Sequence, residues 1–343
     1  MKQVSVGLLG CGRMGRDLVR AVKAIEKARL AAVCDVDASK AEALGKEHDV
    51  PAFANPREFF QKADIEAVII ATPQFAHREG AELAAAAGKH VFCEKPMAVT
   101  VADCDAMIAA CKKANVKLMI GQVLRYLATW HKTLEIIGSG VLGKPIGISV
   151  TRIGGGFGSW FEQWRGTLEQ SGGILMEINS HEIDFMRCIA GDVESVFCFA
   201  EHYVDPQLKM PDLVYVLLKF KSGAIGHLHS SMASAIGDGS AKIQCEKGAV
   251  FYRRGPEIEG DIIWCEFGKD LQRILMKDVT VEDGVVREVR EFIESVLEDK
   301  PVTIPGEEGR AAVEVAQAAY ESARTGKLVK LPLKQGRRAL LSP

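Results

Sequence analysis

The sequence predicts a two-domain α/β chain: a mostly parallel sheet wrapped by helices, followed by an α+β domain with an open, mainly antiparallel sheet. Three observations predict it. Up to Gly121, short apolar runs alternate with helical patterns of about ten to fifteen residues, the rhythm of βαβ units. Beyond Gly121, strand-like runs are joined by tight turns instead. And 343 residues, at roughly 150 per domain, make about two domains.

Val4 to Leu9 is an apolar, β-branched run ending at Gly10, and a helical pattern follows from about Gly12 to Ala28. Leu30 to Cys34 is the second run, followed by an Ala- and Lys-rich helical segment from Ala38 to Glu47. Ala67 to Ala71 is apolar throughout, as a strand buried on both faces must be. Glu79 to Ala87 is an Ala-rich helix that stops at Gly88. His90 to Cys93 is a strand, Val101 to Ala114 a helix and Lys117 to Ile120 a strand. The alternation implies right-handed crossovers and a parallel sheet.

The second architecture opens with a helix from Tyr126 to Ile137, stopped by Gly138-Ser139-Gly140. Ile146 to Ile153 is a strand, and Gly154-Gly155-Gly156 opens an irregular stretch to Ser171. Ile174 to Ile189 is helical in period, and several strand-like runs occupy Val193 to about Phe267. Val214 to Phe220 and Ala224 to Ser230 turn at Lys221-Ser222-Gly223; Ile243 to Glu246 and Ala249 to Tyr252 turn at Lys247-Gly248. Both are hairpin signals, hence antiparallel pairs. Ala311, Ala312, Val315, Ala316, Ala319 and Ala323 recur at helical spacing, which marks a last helix over about 307–325. The predicted domains are therefore 1–121 and 122–343.

Composition narrows the function. With 48% hydrophobic and 26% charged residues the chain is ordinarily globular, which excludes disorder. Its 43 Lys+Arg against 45 Asp+Glu leave a net charge of −2. Without a basic excess, neither nucleic acid nor an anionic membrane is an expected partner. No apolar run approaches the ~18 residues of a membrane helix. The glycine-broken N-terminal run, followed by Arg13, does not read as a signal peptide. The nine cysteines are scattered with no CxxC pair, so they read as reduced thiols of a cytoplasmic protein without a zinc framework. His227 and His229 share one strand face, but no third ligand accompanies them, so no metal is expected.

Gly10-Cys11-Gly12-Arg13-Met14-Gly15 matches GxGxxG directly after a strand and at the start of a helix. There the first glycine permits the tight turn, the second lets backbone approach a pyrophosphate, and the third lets helix and strand pack closely. Helix N-terminal N–H groups then face the phosphates. Asp35 ends the second strand, 20 residues past Gly15 (35 − 15), where a carboxylate accepts from ribose hydroxyls. A 2′-phosphate would meet like charge there, and Cys34 and Val36 supply no cation. NAD is thus favoured over NADP, with Lys40 and Arg13 the cations that would have to swing in. Two further strand ends carry polar groups: Thr72-Pro73 with His77 one turn on, and Glu94-Lys95-Pro96. In an open parallel sheet, ligands gather beyond such carboxyl ends. Further on, Glu177 and His181 are four apart, so a continuous helix gives them one face, with Asp184 a turn away. By spacing alone such a pattern ordinarily marks the solvated side of an amphipathic helix.

The glycine motif, Ala71-Thr72-Pro73 with His77, Glu94-Lys95-Pro96 and Gly172-Gly173 with Glu177, His181 and Asp184 together resemble the Gfo/Idh/MocA family. The family is named for glucose–fructose oxidoreductase, inositol dehydrogenase and rhizopine catabolism, and the resemblance spans essentially the whole chain. It implies an N-terminal Rossmann domain and a C-terminal α/β domain whose sheet lines the substrate cleft. It also implies hydride exchange between a sugar or cyclitol hydroxyl, or its ketone, and a nicotinamide cofactor. Lys95 matches the catalytic lysine, in a bond to Pro96 that is often cis in relatives, and His181 the acid/base on the reacting hydroxyl. Glu177 stands where many relatives have Asp, which puts an inositol assignment in question. Gln122, Arg125 and the Trp164-Arg165 pair match positions near cofactor or substrate, although a domain-linking ion pair suits Arg125 equally. Trp160, with Phe157 and Trp164, has the ring to wall a sugar face. Homodimers or homotetramers through the C-terminal sheet are implied as well. Two other readings remain within the fold: NAD-dependent, redox-neutral glycoside cleavage, and an NAD-bound sensor without turnover.

Overall fold

The apolar runs of the first third become a six-stranded parallel sheet, ordered β3-β2-β1-β4-β5-β6. Its strands are β1 Val4–Leu9, β2 Ala28–Cys34, β3 Ala52–Phe53, β4 Ala67–Ile70, β5 His90–Glu94 and β6 Leu118–Gly121. Between them run α1 Arg13–Ala24, α2 Ala38–His48, α3 Pro56–Lys62, α4 His77–Ala86 and α5 Val101–Lys113. In this computed structural model the described residues are 2–155, 163–204, 208–255 and 258–333. β1 and β4 are buried at every position, as strands covered by helices on both faces must be. Local chemistry sets the helix starts: the Asp37 side chain accepts from Ser39 N ahead of α2, and Thr100 Oγ1 accepts from Asp103 N ahead of α5. β3 and α3 are absent from the sequence-based reading. Two residues are too few for a period, although the Asn55 cap and Pro56 at the first helical position do signal α3.

The second unit is built on a nine-stranded sheet, ordered β14-β13-β12-β11-β7-β10-β9-β8-β15. The strands are β7 Pro145–Gly155, β8 Val193–Glu201, β9 Leu213–Phe220, β10 Ile225–Ser231, β11 Ala233–Cys245, β12 Gly248–Gly255, β13 Ile258–Glu266, β14 Gln272–Ile274 and β15 Val329–Lys330. All neighbours are antiparallel except β7 and β10, so the sheet is mixed but mostly antiparallel. Both expected hairpins are present, as β9–β10 and β11–β12. Helices α6 Ala128–Gly138, α7 Leu168–Ser171, α8 Gly173–Glu177 and α9 Ser180–Ala190 belong to this unit. Phe185 of α9 packs on Trp130 of α6 at 4.4 Å between ring centroids. Phe199, Tyr215, Leu217 and Ile225 are exposed on their strands, and the Tyr215 and His229 rings stack 4.2 Å apart.

The division of the chain differs from a single cut at 121. One unit comprises Met1–Tyr126 with Glu282–Ala311, the other Leu127–Val281 with Ala312–Pro343. The returning segment contains α10 Gly284–Leu297 and the start of α11 Gly306–Thr325. It rejoins the first unit because α10 buries Val289, Phe292 and Ile293 completely, with Phe292 edge-on to Phe92 at 5.7 Å. Ile120 N also donates to Ile304 O at 2.9 Å, and Arg310 Nε to Asp105 at 2.6 Å. The last helix lies where its small-residue spacing predicts. Among the described residues, no helix is long and apolar enough to cross a membrane, and no group of three His, Cys, Asp or Glu is placed to hold a metal.

Candidate functional site

β1 pairs with β2 on one side and β4 on the other, so strand order reverses direction beside it. That is the switch point at which open α/β sheets bind ligands, and the glycine turn occupies it. Gly10 has φ +104°, and a Cβ there would lie 2.6 Å from the Ala71 carbonyl carbon. At Gly15 a Cβ would lie 2.0 Å from Gly10 O. At Gly12 it would meet nothing within 4 Å. Two glycines are therefore demanded by the protein's own packing, whereas the middle one leaves open space above the start of α1. Asp35 is anchored beside it: one carboxylate oxygen accepts from Cys11 N at 2.8 Å, the other from Asp37 N at 2.9 Å. Cys11, Gly12, Arg13, Arg16, Asp17 and Lys40 line an open depression of about 430 Å³. Arg16 is paired with Glu47 and Lys40 with Asp37, so both cations have carboxylate partners. Burial pushes the Cys11 and Cys34 thiols up to about 12, which leaves them without nucleophilic character. The open cradle, the anchored acid and the buried Thr72 Oγ1, which makes no hydrogen bond in the protein, fit a dinucleotide. Met14, inside the motif, is half-buried in the first turn of α1.

The other strand-end residues gather in the same unit. His77 is buried, its Nε2 2.8 Å from Thr72 O and its Nδ1 3.1 and 3.2 Å from Pro96 O and Met97 O. The imidazole thus ties the turn after β4, including Pro73, to the loop after β5. The Lys95–Pro96 bond is cis. Glu94 ends β5, and one of its carboxylate oxygens accepts from Lys95 N at 3.2 Å. Gln122 is buried just past β6. Arg125 pairs with Glu308 at 3.1 Å, and both belong to this unit, so the ion pair does not link domains.

In the second unit the helix expected over Ile174 to Ile189 is two helices. Ile174 O accepts from both Ile178 N and Asn179 N at 3.0 Å, and the ladder restarts with Ile183 N on Asn179 O. This one-residue slip, a π-type irregularity, puts Glu177 at the end of α8 and His181 at the start of α9, so the expected shared face is not that of one continuous helix. Glu177 is nearly buried and accepts from Arg165 Nε at 3.1 Å. The Arg165 guanidinium also lies 4.2 Å over the Trp164 ring. Sequence reasoning had both partners but not their pairing, since a separation of twelve fits no helical period. It missed Asn179 and Glu182: the Asn179 amide donates to Glu182 at 3.1 Å, and Arg152 lies 3.6 Å from the same carboxyl group. Asp184 is buried on α9. Trp160 and Phe157 lie outside the described residues. His227 and His229 lie side by side on β10, where burial lowers both from the ordinary histidine value.

Comparison with known proteins agrees with this layout. The Gfo/Idh/MocA model described as an oxidoreductase family with an NAD-binding Rossmann fold matches residues 4–122, and that of its C-terminal alpha/beta domain matches 135–331. A myo-inositol 2-dehydrogenase of Thermotoga maritima is 30% identical over 333 residues, 95% of this chain and 98% of that protein. A 2,7-anhydro-N-acetylneuraminate hydratase of Mediterraneibacter gnavus is 30% identical over 259 residues, 73% of this chain and 67% of its own. The WlbA dehydrogenase of Bordetella pertussis, solved with NADH and UDP-GlcNAcA, superposes with a TM-score of 0.86 at 26% identity, covering 97% of this chain and 100% of that one.

Proposed function

The chain belongs to the Gfo/Idh/MocA family of NAD-binding oxidoreductases, and from that premise we propose that it exchanges a hydride between a sugar or cyclitol hydroxyl, or its ketone, and nicotinamide. The observation that carries the reading is the position of Lys95. It follows the carboxyl end of β5, two strands from β1 and the glycine turn in the order β1-β4-β5, roughly 10 Å at ordinary strand spacing. NAD supplies the hydride acceptor. Gly12 and the N-terminus of α1 receive its pyrophosphate, Asp35 its adenosine ribose, and Thr72 offers an unused hydroxyl.

On this reading His181 takes the proton from the substrate hydroxyl during oxidation and returns it during reduction. Glu177, steadied by Arg165 at 3.1 Å, orients that hydroxyl and favours the imidazolium as it forms. Lys95 stabilises alkoxide character on the reacting oxygen. Substrate-binding roles for Arg125 and Trp160, and cofactor roles for Arg13, Met14, Pro73, Glu94, Gln122, Trp164 and Arg165, belong to the same proposal. His77 acts for the cofactor indirectly, through the two loops it ties.

The test is NADH formation by purified protein across cyclitols, aldoses, uronic acids and anhydro-sugars, with NAD and NADP in parallel. An NAD-selective signal within one substrate class supports the reading; silence with every compound in both directions, despite NAD binding, overturns it. A second reading has one specific support, the resemblance to a hydratase of an anhydro-sugar: redox-neutral turnover, in which oxidation is transient. Product formation without net NADH would single it out.

A further inference from the structure

The reaction as proposed uses His181 at the start of α9 but leaves aside the sheet that this helix covers. Phe185 of α9 meets Tyr252 of β12 at 6.3 Å between ring centroids. Tyr252 belongs to a buried cross-strand row with Ala241 of β11 and Val150 of β7. Side chains alternate between faces along a strand, so the next row on that face lies two residues on: Arg152, Gly239 and Arg254. Ser230 of β10 extends the row beside Arg152, and its buried hydroxyl has no hydrogen-bond partner among the described residues. Two guanidinium groups thus flank a residue without a side chain, with their Cα atoms two strand spacings, roughly 10 Å, apart. A Cβ at Gly239 would touch only Arg254, at 3.7 and 4.0 Å, so the space between the arginines is open. The Arg152 side chain is 46% exposed and Arg254 is exposed as well, so both heads are open to a ligand.

The two arginines differ in their commitments. Arg152 lies 3.6 Å from Glu182, whose other carboxylate oxygen accepts from the Asn179 amide at 3.1 Å. Glu182 is buried and directly follows His181 in the first turn of α9, so this ion pair ties Arg152 to the turn that carries His181. Arg254 stands opposite Glu259 of β13 in register, yet among the described residues it forms no ion pair. Its stem is held in place: Gly260 has φ +82°, and a Cβ there would fall 2.6 Å from Arg254 Cγ. Asp238, the one acid of β11, is paired with Arg253 at 3.0 Å. Burial and then Glu182 raise the Tyr252 phenol, while Arg254 and Arg152 act in the opposite sense, as cations at the same end of the sheet must.

We propose that Arg152 and Arg254 form a carboxylate-binding site beside the turn of His181, so that the substrate is a sugar acid, uronic or aldonic, in preference to a neutral sugar or cyclitol. The inference deepens the reading of the chain as a sugar oxidoreductase and rests on it for the role of His181. A guanidinium presents paired N–H donors that match the two oxygens of a carboxylate. Two such groups against the single Glu182 leave one positive charge over, which a bound carboxylate neutralises. Arg254 makes the direct contact, and Arg152 adds the donors that Glu182 does not use. A neutral sugar leaves Arg254 without its partner, and a polar site unmatched by its ligand is what discriminates most strongly between substrates. The carboxylate anchors one end of the sugar while a hydroxyl a few carbons away meets His181.

The test uses sugars that differ only at the end in question: glucose against glucuronate and gluconate, galactose against galacturonate and galactonate, with glucose 6-phosphate as an anion of another shape. In NADH formation the wild type is expected to favour an acid over its neutral partner by about 10–100-fold in kcat/KM, the worth of hydrogen bonds to a charged group. Arg254→Gln, at an exposed position, and Arg152→Lys, which keeps a cation beside Glu182, are each expected to pull that ratio towards one, mainly through KM. Calorimetric titration of the NADH-loaded protein with the same compounds reads the site without turnover: binding of an acid but not of its neutral partner, weakened about tenfold or more by Arg254→Gln, supports it. A wild type that treats acid and neutral partners alike, or prefers glucose 6-phosphate, overturns the inference and leaves the reaction standing. An acid preference untouched by Arg254→Gln overturns it as well. Silence in every turnover assay beside Arg254-dependent binding of an acid removes only the reaction reading, and absence of both turnover and acid binding removes the two together.

Discussion

At the scale of single residues, Asp35 and Lys95 make opposite demands. Asp35 is anchored by two backbone N–H groups, so Asp35→Ala removes structure as well as a ribose acceptor. It is expected to cost about 1–3 kcal/mol through the two orphaned donors, to weaken NAD binding and to narrow the preference over NADP. Thermal denaturation beside titrations with both nucleotides would check this, and an unchanged preference would remove Asp35 from cofactor selection. Lys95→Ala is expected to lower kcat by about 10²–10³-fold, the usual loss of one electrostatic stabiliser, while NAD binds nearly as before. Steady-state kinetics with a binding isotherm would show it. Asp35 was legible in the sequence because its distance from Gly15 is set by one helix and one strand. The Arg165–Glu177 pair was not, because it crosses from an irregular stretch to a helix end, and no local periodicity records such a contact.

At the scale of elements, the glycine turn offers a clean dissection. Gly15→Ala would drive a methyl group into Gly10 O, at 2.0 Å, so loss of stability or of soluble protein is expected. Gly12→Ala meets nothing, so its melting temperature should stay near wild type while NAD affinity falls, because the methyl group takes the space a pyrophosphate needs. Equal destabilisation by the two substitutions would show that Gly12 serves packing and not a ligand. The alternation of strand and helix in the first third was readable because each buried strand is a short apolar run ending in a turn. The break between α8 and α9 was not: a slip of one residue leaves the apolar period nearly intact while separating Glu177 from His181. α10 was missed for a different reason. Its amphipathic pattern says that it packs, but not that it packs on strands some two hundred residues earlier.

For the whole molecule, the exposed Phe199, Tyr215, Leu217 and Ile225 on the second unit's sheet are more apolar than a solvated face requires. We propose that they meet a second copy of the chain. Leu217→Glu should then lower the molar mass measured by light scattering to that of one chain, 37.3 kDa, whereas a wild type already monomeric at micromolar concentration would exclude the assembly. The chain path has its own consequence. The first unit is discontinuous, and Phe292, Ile293 and Ile304, all part of its core, are encoded after the entire sheet of the second unit except β15. During synthesis the ribosome therefore releases the glycine turn first but cannot deliver the whole segment that closes its core until Ala311 has emerged. The nascent nucleotide-binding half must wait, with part of its apolar sheet uncovered, while the later half is made. Premature termination anywhere between Leu127 and Val281 would leave a fragment for chaperones to hold, not a functioning cofactor domain.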